Sequence, residues 1–343
     1  MPKYPTYPRT ARRRLRTIVA SWSVAVVVLT ACGEAADGQP AASSADALPV
    51  VVATTSIIGD LVATLVEDDA EVVVLLPPGV DPHGYQPSAD DGRVLRQADL
   101  VVANGLLLEE GLVSVLETVA EEGGTVLTLA DKLDPIEFDG HDEHAREGDD
   151  DDHDDDHGDE DPHFWFDPLR TADAVERIAA ELASLDTGPD AATWTARGAA
   201  FAEELRELDA QLSGWFATIP DDNRTIVTNH DSLGYLADRY DLEVVATVIP
   251  GSSTQVEANP QSFAALIGTV EELGIDVVFA ENTDATVLAE QLASEVLGRG
   301  DLEVEVVRIY TDALGEPGSG AETYVGLLTT TSTLIVEALG GSV

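Results

Sequence analysis

From residue 50 onward, short runs of aliphatic and β-branched residues alternate with longer segments whose apolar positions recur every three or four residues. The short runs predict buried strands, and the longer segments predict helices. Strands are expected at 50–54, 71–76, 100–103, 125–129, 224–228, 244–248, 277–280 and 304–309. Helices are expected at 57–66, 88–97, 108–121, 169–185, 233–240, 259–273, 286–297 and 322–339. This β-α order predicts parallel sheets that are covered by helices.

One further helical segment, over about 190–218, is much longer than the others. Its apolar positions lie three, four or seven residues apart, at Trp194, Phe201, Leu205, Leu208, Leu212 and Trp215. A helix of this length spans roughly 40 Å. It separates two α/β halves, at about 49–188 and 220–343. We therefore predict an α/β fold of two lobes, each a mostly parallel sheet flanked by helices, joined by a long rigid helix within 189–219.

The amino terminus has the pattern of an export signal. Lys3 and five arginines precede a short apolar run at residues 18–31. The run is shorter than the ~20 residues of a membrane-spanning helix, so residues 1–31 predict a secretory signal peptide. It ends in Leu29-Thr30-Ala31-Cys32, which resembles the bacterial lipobox. We expect the single cysteine, Cys32, to carry a lipid anchor, residues 32–48 to form a tether, and the protein to lie at the extracytoplasmic face of the cell membrane.

Acidic residues dominate the composition, with 65 Asp and Glu against 18 Lys and Arg and a formal net charge of -47. Without a basic face the chain cannot make the phosphate contacts that nucleic-acid binding needs. The charge either attracts cations or reflects a salt-rich habitat. Residues 139–161 are the most acidic segment, and their lack of apolar periodicity predicts a disordered insert. The insert is either an auxiliary metal-capture loop or a solvated spacer; it carries His141, His144, His153 and His157.

The remaining three histidines, His83, His163 and His230, each follow a predicted strand or a loop. His83 and His163 both stand directly after Asp-Pro, and proline stiffens the chain that enters each of them. His230 lies at the carboxyl end of a predicted strand, where open α/β sheets bind ligands. Three imidazoles need a fourth group to complete a tetrahedral zinc site. The spacing alone does not select this group among so many carboxylates.

Taken together, these motifs resemble the metal-binding lipoproteins of bacterial zinc/manganese ABC importers. The resemblance covers nearly all of residues 50–340. Its matching pieces are Asp81-Pro82-His83 with Tyr85 and Pro87, Asp161-Pro162-His163-Phe164-Trp165 with Asp167-Pro168, His230 with Tyr235, and 309–314 with Gly318 and Tyr324. It implies four metal ligands, which are His83, His163, His230 and Asp312. It also implies that Glu281 supports the site without binding metal. One departure is the Thr-rich stretch at 329–331, where many family members have Asn.

Ligand chemistry and the resemblance both favour Zn²⁺ as the bound ion. Three imidazoles and one carboxylate suit zinc, whereas manganese prefers oxygen donors. Mn²⁺ stays open as the alternative. The resemblance implies an ABC permease and its ATPase as partners, with the membrane contacted through the lipid anchor, and we expect a monomer.

Two other functional classes stay open at this point. A secreted zinc hydrolase would need an open coordination position and a base, for which Glu281 or Asp231 is the candidate. A surface adhesin with incidental metal affinity would keep its role after His83 or Asp312 is replaced. The chain has no His-Glu-x-x-His helix and no phosphate-binding loop. We therefore expect a binding protein and not an enzyme.

Overall fold

The computed structural model describes residues 48–138, 160–249, 253–255, 260–282 and 286–343. Two four-stranded sheets form its framework, and every strand pair in both of them is parallel. The first sheet has the order β2-β1-β3-β4, built from β1 (Val50–Ala53), β2 (Glu71–Val74), β3 (Leu100–Ala103) and β4 (Val126–Thr128). The second has the order β6-β5-β7-β8, built from β5 (Thr225–Thr228), β6 (Glu243–Thr247), β7 (Val277–Glu281) and β8 (Glu305–Ile309). The predicted fold class is confirmed.

Helices connect the strands and cover the sheets. They are α1 (Ser56–Val66), α2 (Ala89–Arg96), α3 (Val113–Glu121), α4 (Pro168–Leu182), α5 (Ala191–Phe216), α6 (Gly234–Tyr240), α7 (Pro260–Leu273), α8 (Thr286–Arg299) and α9 (Tyr324–Ala338). The helix expected from residue 108 begins only at Val113, after a 3₁₀ turn at Glu110–Leu112. Leu106 and Leu107 precede that turn with φ values of 48° and 61°, which a helix cannot contain.

Alternate residues along each central strand face two different hydrophobic clusters. In β1, Val51 packs into a cluster with α1, α4 and α5, while Val52 packs into another with α2 and α3. In β5, Ile226 joins the same large cluster as Val51, and Val227 faces α7 and α8. One continuous core therefore lies between the two sheets, and each sheet has a smaller core on its outer face.

The long helix α5 begins at Ala191, with the Asp190 carboxylate accepting a 2.9 Å hydrogen bond from the Thr193 N–H. It packs along α4 and also contacts α1 and α9. Five predicted apolar positions are buried, but the sixth, Trp215, is only half-buried. Phe216 takes that place because it lies four residues after Leu212, and its ring stacks on Tyr240 at 4.5 Å between centroids. The lobe boundaries at 188 and 220 stay a prediction.

After β8 the chain returns to the first half of the molecule. The Leu314 N–H donates to Ser56 Oγ at 3.0 Å. At the start of α9, the Tyr324 N–H donates to the Asp60 carboxylate at 2.8 Å, and the Tyr324 hydroxyl donates to the Trp165 carbonyl at 2.8 Å. The segment that carries Asp312 is therefore attached to both halves.

Several predicted features lie outside the described residues. They are the signal peptide at 1–31, Cys32, most of the tether, and all four insert histidines. Across the part of the chain that the structure describes, no helix has the length and apolarity needed to cross a membrane.

Candidate metal centre

The four residues implied as ligands stand on loops that follow strands or lead into helices. His83 follows β2, His163 precedes a 3₁₀ turn at Phe164–Phe166, His230 follows β5 and Asp312 follows β8. Strands β2, β5 and β8 all present their carboxyl ends here, which is where open α/β sheets bind ligands. All four side chains are buried, with between 0% and 3% of their surface exposed.

The side chains of these four residues point at one another. One candidate ligand atom from each lies within 4.8 Å of all the others. Nε2 of His230 is 3.5 Å from Asp312 Oδ2 and 3.3 Å from Nε2 of His163. His163 Nε2 is 3.8 Å from Asp312 Oδ1, and His83 Nε2 is 4.0 Å from Asp312 Oδ2. Ligands 2.0–2.2 Å from a tetrahedral ion lie about 3.3–3.6 Å apart, so small adjustments complete such a shell.

Three of these atoms lack hydrogen-bond partners. His83 Nε2 and both carboxylate oxygens of Asp312 are buried and unpartnered. Leaving a buried polar group unpaired costs about 1–3 kcal/mol, and more for a charged group. A divalent cation between the four residues would accept these lone pairs together, so the donor set fits a metal ion.

Two carboxylates each contact the Nδ1 atom of one imidazole, on the side of the ring away from the cluster. Asp161 Oδ1 accepts hydrogen bonds from Nδ1 and from the backbone N–H of His163, at 2.7 and 2.8 Å. Glu281 Oε1 contacts Nδ1 of His230 and accepts from its backbone N–H at 3.3 Å. A proton kept on Nδ1 leaves the Nε2 lone pair directed at the cluster, which is how supporting carboxylates orient metal-binding histidines.

Burial and mutual repulsion set the charges in the site. Burial, followed by the nearby His230 charge, lowers the pKa of His83 and of His163 well below the usual value, so both rings are neutral at pH 7. Burial also disfavours a charge on His230, but the Glu281 and Asp312 carboxylates outweigh it and raise its pKa to about 10. Burial raises the pKa of Asp312 well above its ordinary value. An arriving cation would displace the protons held here.

The structure brings together the four residues that the resemblance implied as ligands. Glu281 lies outside the cluster and against His230, as a supporting residue would. Asp231, the other candidate base of a hydrolase, is half-buried and does not belong to the cluster.

Some contributions to the site were missed in the sequence. The sequence motif contains Asp161 without indicating a role for it, yet its carboxylate pairs with His163. The signal was the repeated Asp-Pro-His, since Asp81 likewise accepts from the His83 N–H at 2.9 Å. An aspartate bonding the backbone two residues on is an Asx-turn. Thr331, in the Thr-rich stretch, bonds both the N–H and the carbonyl of Tyr310, shortly before Asp312.

Comparison with known proteins gives consistent matches along the chain. The family model "ZnuA: Zinc-uptake complex component A periplasmic" matches residues 51–338. The zinc-binding protein TroA of Treponema pallidum is 29% identical over 325 residues, covering 95% of this chain and 99% of TroA. The manganese-binding lipoprotein MntA of Halalkalibacterium halodurans is 28% identical over 316 residues, covering 92% of this chain and 96% of MntA.

Solved structures agree with these sequence matches. The periplasmic zinc-binding protein TroA from Treponema pallidum superposes with a TM-score of 0.74 at 28% identity, covering 85% of this chain and 99% of that one. A Mn-bound periplasmic metal-binding protein from Candidatus Liberibacter asiaticus superposes with a TM-score of 0.68 at 26% identity and the same coverage. With its fold, its buried cluster and a family match over most of its length, this chain belongs to the periplasmic zinc-uptake component A (ZnuA) family.

Proposed function

We propose that this protein is the extracytoplasmic receptor of a metal ABC importer, which captures Zn²⁺ and delivers it to a membrane permease. The proposed ligands are His83, His163, His230 and Asp312. The observation that carries the proposal is the buried convergence of these four side chains, with atoms of His83 and Asp312 left unpartnered.

A receptor fits this site better than a hydrolase does. Catalytic zinc sites keep a coordination position open for water or substrate. Here four side chains surround the centre, and at most 3% of any of them is exposed. Such a site holds an ion away from solvent, which suits transport of the ion as cargo.

Zinc is the proposed ion because three of the four donors are imidazole nitrogens. Manganese is the second candidate. It is supported by the similarity to MntA, which is described as manganese-binding. Competitive titration with both ions distinguishes the two candidates.

The proposed partners are an ABC permease and its ATPase, which the family's part in an uptake complex supports. We propose that Cys32 carries the lipid that holds a monomeric receptor at the outer face of the membrane, as the word lipoprotein in the name of MntA supports. We further propose that the histidines of the insert, His141, His144, His153 and His157, collect Zn²⁺ weakly near the site.

Competitive metal titration of the soluble chain from residue 33 tests the function. We expect one tight Zn²⁺ per chain, not displaced by excess Mn²⁺ and lost in His83→Ala. His141→Ala is the matched control, because it removes an imidazole from the insert, and it should keep the tight site. Displacement of Zn²⁺ by Mn²⁺ would establish the manganese alternative. Only weak binding, insensitive to His83→Ala, would refute the four-ligand site.

A further inference from the structure

The backbone that presents His163 is held from both halves of the molecule. On one side, Asn104 in the loop after β3 donates its Nδ2–H to the Pro162 carbonyl at 2.9 Å. On the other, Tyr235 on α6 donates its hydroxyl to the Asp161 carbonyl at 2.9 Å. The two carbonyls directly before His163 therefore accept hydrogen bonds from residues of the two different halves of the molecule.

The Tyr235 hydroxyl also contacts the neck of the acidic insert. Ile136 and Glu137 stand shortly before residues 139–159 in the sequence, and Glu160 and Asp161 stand directly after them; these four residues are the neck of the insert. Glu137 and Glu160 form an antiparallel bridge, and the Asp161 N–H donates to the Ile136 carbonyl at 2.8 Å. The Ile136 N–H donates to the Tyr235 hydroxyl at 3.3 Å. The Tyr235 hydroxyl therefore links both sides of the neck, at Ile136 and at Asp161, to α6.

Packing holds the ring of Tyr235 in place, and burial keeps its hydroxyl protonated. The side chain is 1% exposed, and the Arg170 guanidinium lies 5.1 Å from the ring centroid. Arg170 is itself held by the carbonyls of Leu133 and Asp134. Burial raises the pKa of Tyr235, so the hydroxyl stays a hydrogen-bond donor at physiological pH.

Close packing at the start of α6 supports the same contact. A Cβ on Gly234 would stand 2.6 Å from Asp161 Oδ2, inside van der Waals distance. The absence of a side chain at Gly234 therefore lets the Asp161 carboxylate lie against α6. Because Asp161 also bonds Nδ1 of His163, the position of α6 is transmitted to the imidazole.

We propose that Tyr235 is a positioning residue for metal binding, whose hydroxyl couples the second half of the molecule to the Asp161–His163 pair. When the halves are together, the hydroxyl holds the Asp161 carbonyl, and the carboxylate of the same residue aims His163 Nε2 at Asp312. This inference rests on the proposed role of His163 as a metal ligand.

The test compares Tyr235→Phe with Tyr240→Phe in the soluble chain from residue 33. Tyr240 is a matched control on the same helix, because it is buried and its hydroxyl bonds Asp209 instead of the site. Loss of a residue that orients a ligand lowers metal affinity about 10–100-fold. We expect a Zn²⁺ dissociation constant about tenfold higher in Tyr235→Phe and unchanged in Tyr240→Phe. The absorption bands of bound Co²⁺ should shift only in Tyr235→Phe.

Amide hydrogen exchange of the metal-free protein checks the contact independently of binding. The Ile136 N–H should be protected in the unaltered chain and should lose protection in Tyr235→Phe, since its acceptor is gone. The inference would be overturned if the Ile136 N–H loses protection in Tyr235→Phe while the Zn²⁺ affinity and the Co²⁺ absorption bands of this variant stay unchanged. If Tyr235→Phe does not fold, Gly234→Ala takes its place, and normal affinity there counts against the inference. An unaltered chain without tight Zn²⁺ would instead refute the proposed function.

Discussion

The proposed metal site depends on two carboxylates that are not among its proposed ligands. Asp161 and Glu281 each face the Nδ1 atom of one histidine and accept the backbone N–H of that same histidine. A histidine held at two points loses little further freedom when it binds an ion. The ligand geometry is therefore set before the cation arrives, and each carboxylate keeps a proton on Nδ1 so that Nε2 faces the cluster.

Replacing Glu281 by Gln tests this support at the residue scale. Glutamine keeps the size but cannot carry the negative charge that orients His230. We expect Zn²⁺ affinity to fall about 10–100-fold, measured by competitive titration, while one ion still binds per chain. Glu290→Gln, at an exposed position on α8, is the control and should bind as the unaltered chain does. Equal affinities in both variants would remove Glu281 from the supporting role.

At the scale of elements, the long helix α5 packs against three other helices. It lies against α4 along its length and touches α1 and α9, so it packs against helices from both ends of the chain. Its buried face includes Phe201, Leu205 and Leu212, all within the core that the two sheets share. The helix is thus held as a rigid element by packing, since an isolated helix of ordinary sequence is marginal in water.

Truncating Leu205 to Ala should destabilise the whole protein without touching the site. Leu205 is fully buried, and comparable substitutions cost about 2–5 kcal/mol of unfolding free energy. Urea unfolding of the metal-free chain gives this value, and Zn²⁺ affinity of the folded variant should be unchanged. Glu207→Ala, two residues further along and on the exposed face of the helix, should change stability by less than about 0.5 kcal/mol. A loss under about 1 kcal/mol for Leu205→Ala would contradict the packing described here.

At the scale of the whole molecule, the carboxyl-terminal segment joins the two halves. Trp165 Nε1–H donates to the Thr311 carbonyl at 3.0 Å, and Ser56 and Asp60 on α1 accept N–H groups from Leu314 and Tyr324. Asp312 lies inside this segment. The placement of Asp312 in the cluster therefore depends on how the halves meet, and not only on the strand that precedes it.

Asp60, which accepts the Tyr324 N–H where the carboxyl-terminal segment meets α1, makes the stability of the protein depend on pH. Burial raises its pKa from 3.8 to about 6, so the folded chain holds a proton that the unfolded chain releases between about pH 4 and pH 6. The contribution of Asp60 to stability therefore falls as the pH rises through this window. Asp60→Asn keeps an acceptor for the Tyr324 N–H without the charge. We expect the variant to be more stable by up to about 3 kcal/mol at pH 7, with no gain at pH 4.

Urea unfolding with a chelator present, at pH 4 and pH 7, measures the effect of Asp60→Asn. Asp173→Asn is the control, because Asp173 is exposed on α4 and its charge stays in water. A gain for Asp60→Asn that is equal at both pH values would show that the buried charge is not its source.

Hydrophobic periodicity was enough to predict the strands, the helices and the two-sheet fold. Strand β3 was predicted at its observed bounds, and α5 lies inside the predicted 189–219. These patterns can be recognised because a strand covered on both faces is a short continuous apolar run, whereas the apolar positions of a helix recur about every 3.6 residues. The prediction was wrong at the start of α3, where two positive φ values override the local pattern.

The site, like the fold, has features that the local sequence indicates and features that only tertiary contacts determine. Asp-Pro-His occurs twice in the sequence, and the stiff approach to His83 and His163 follows from local chemistry. The pairing of Asp312 with those histidines depends on contacts between distant parts of the chain, and so does the pairing of Glu281 with His230 and of Tyr235 with Asp161. Such contacts leave no period in the sequence, because they are set by how the two sheets and the returning segment pack together. Local composition thus indicates which residues can bind a metal, and tertiary packing decides which of them meet.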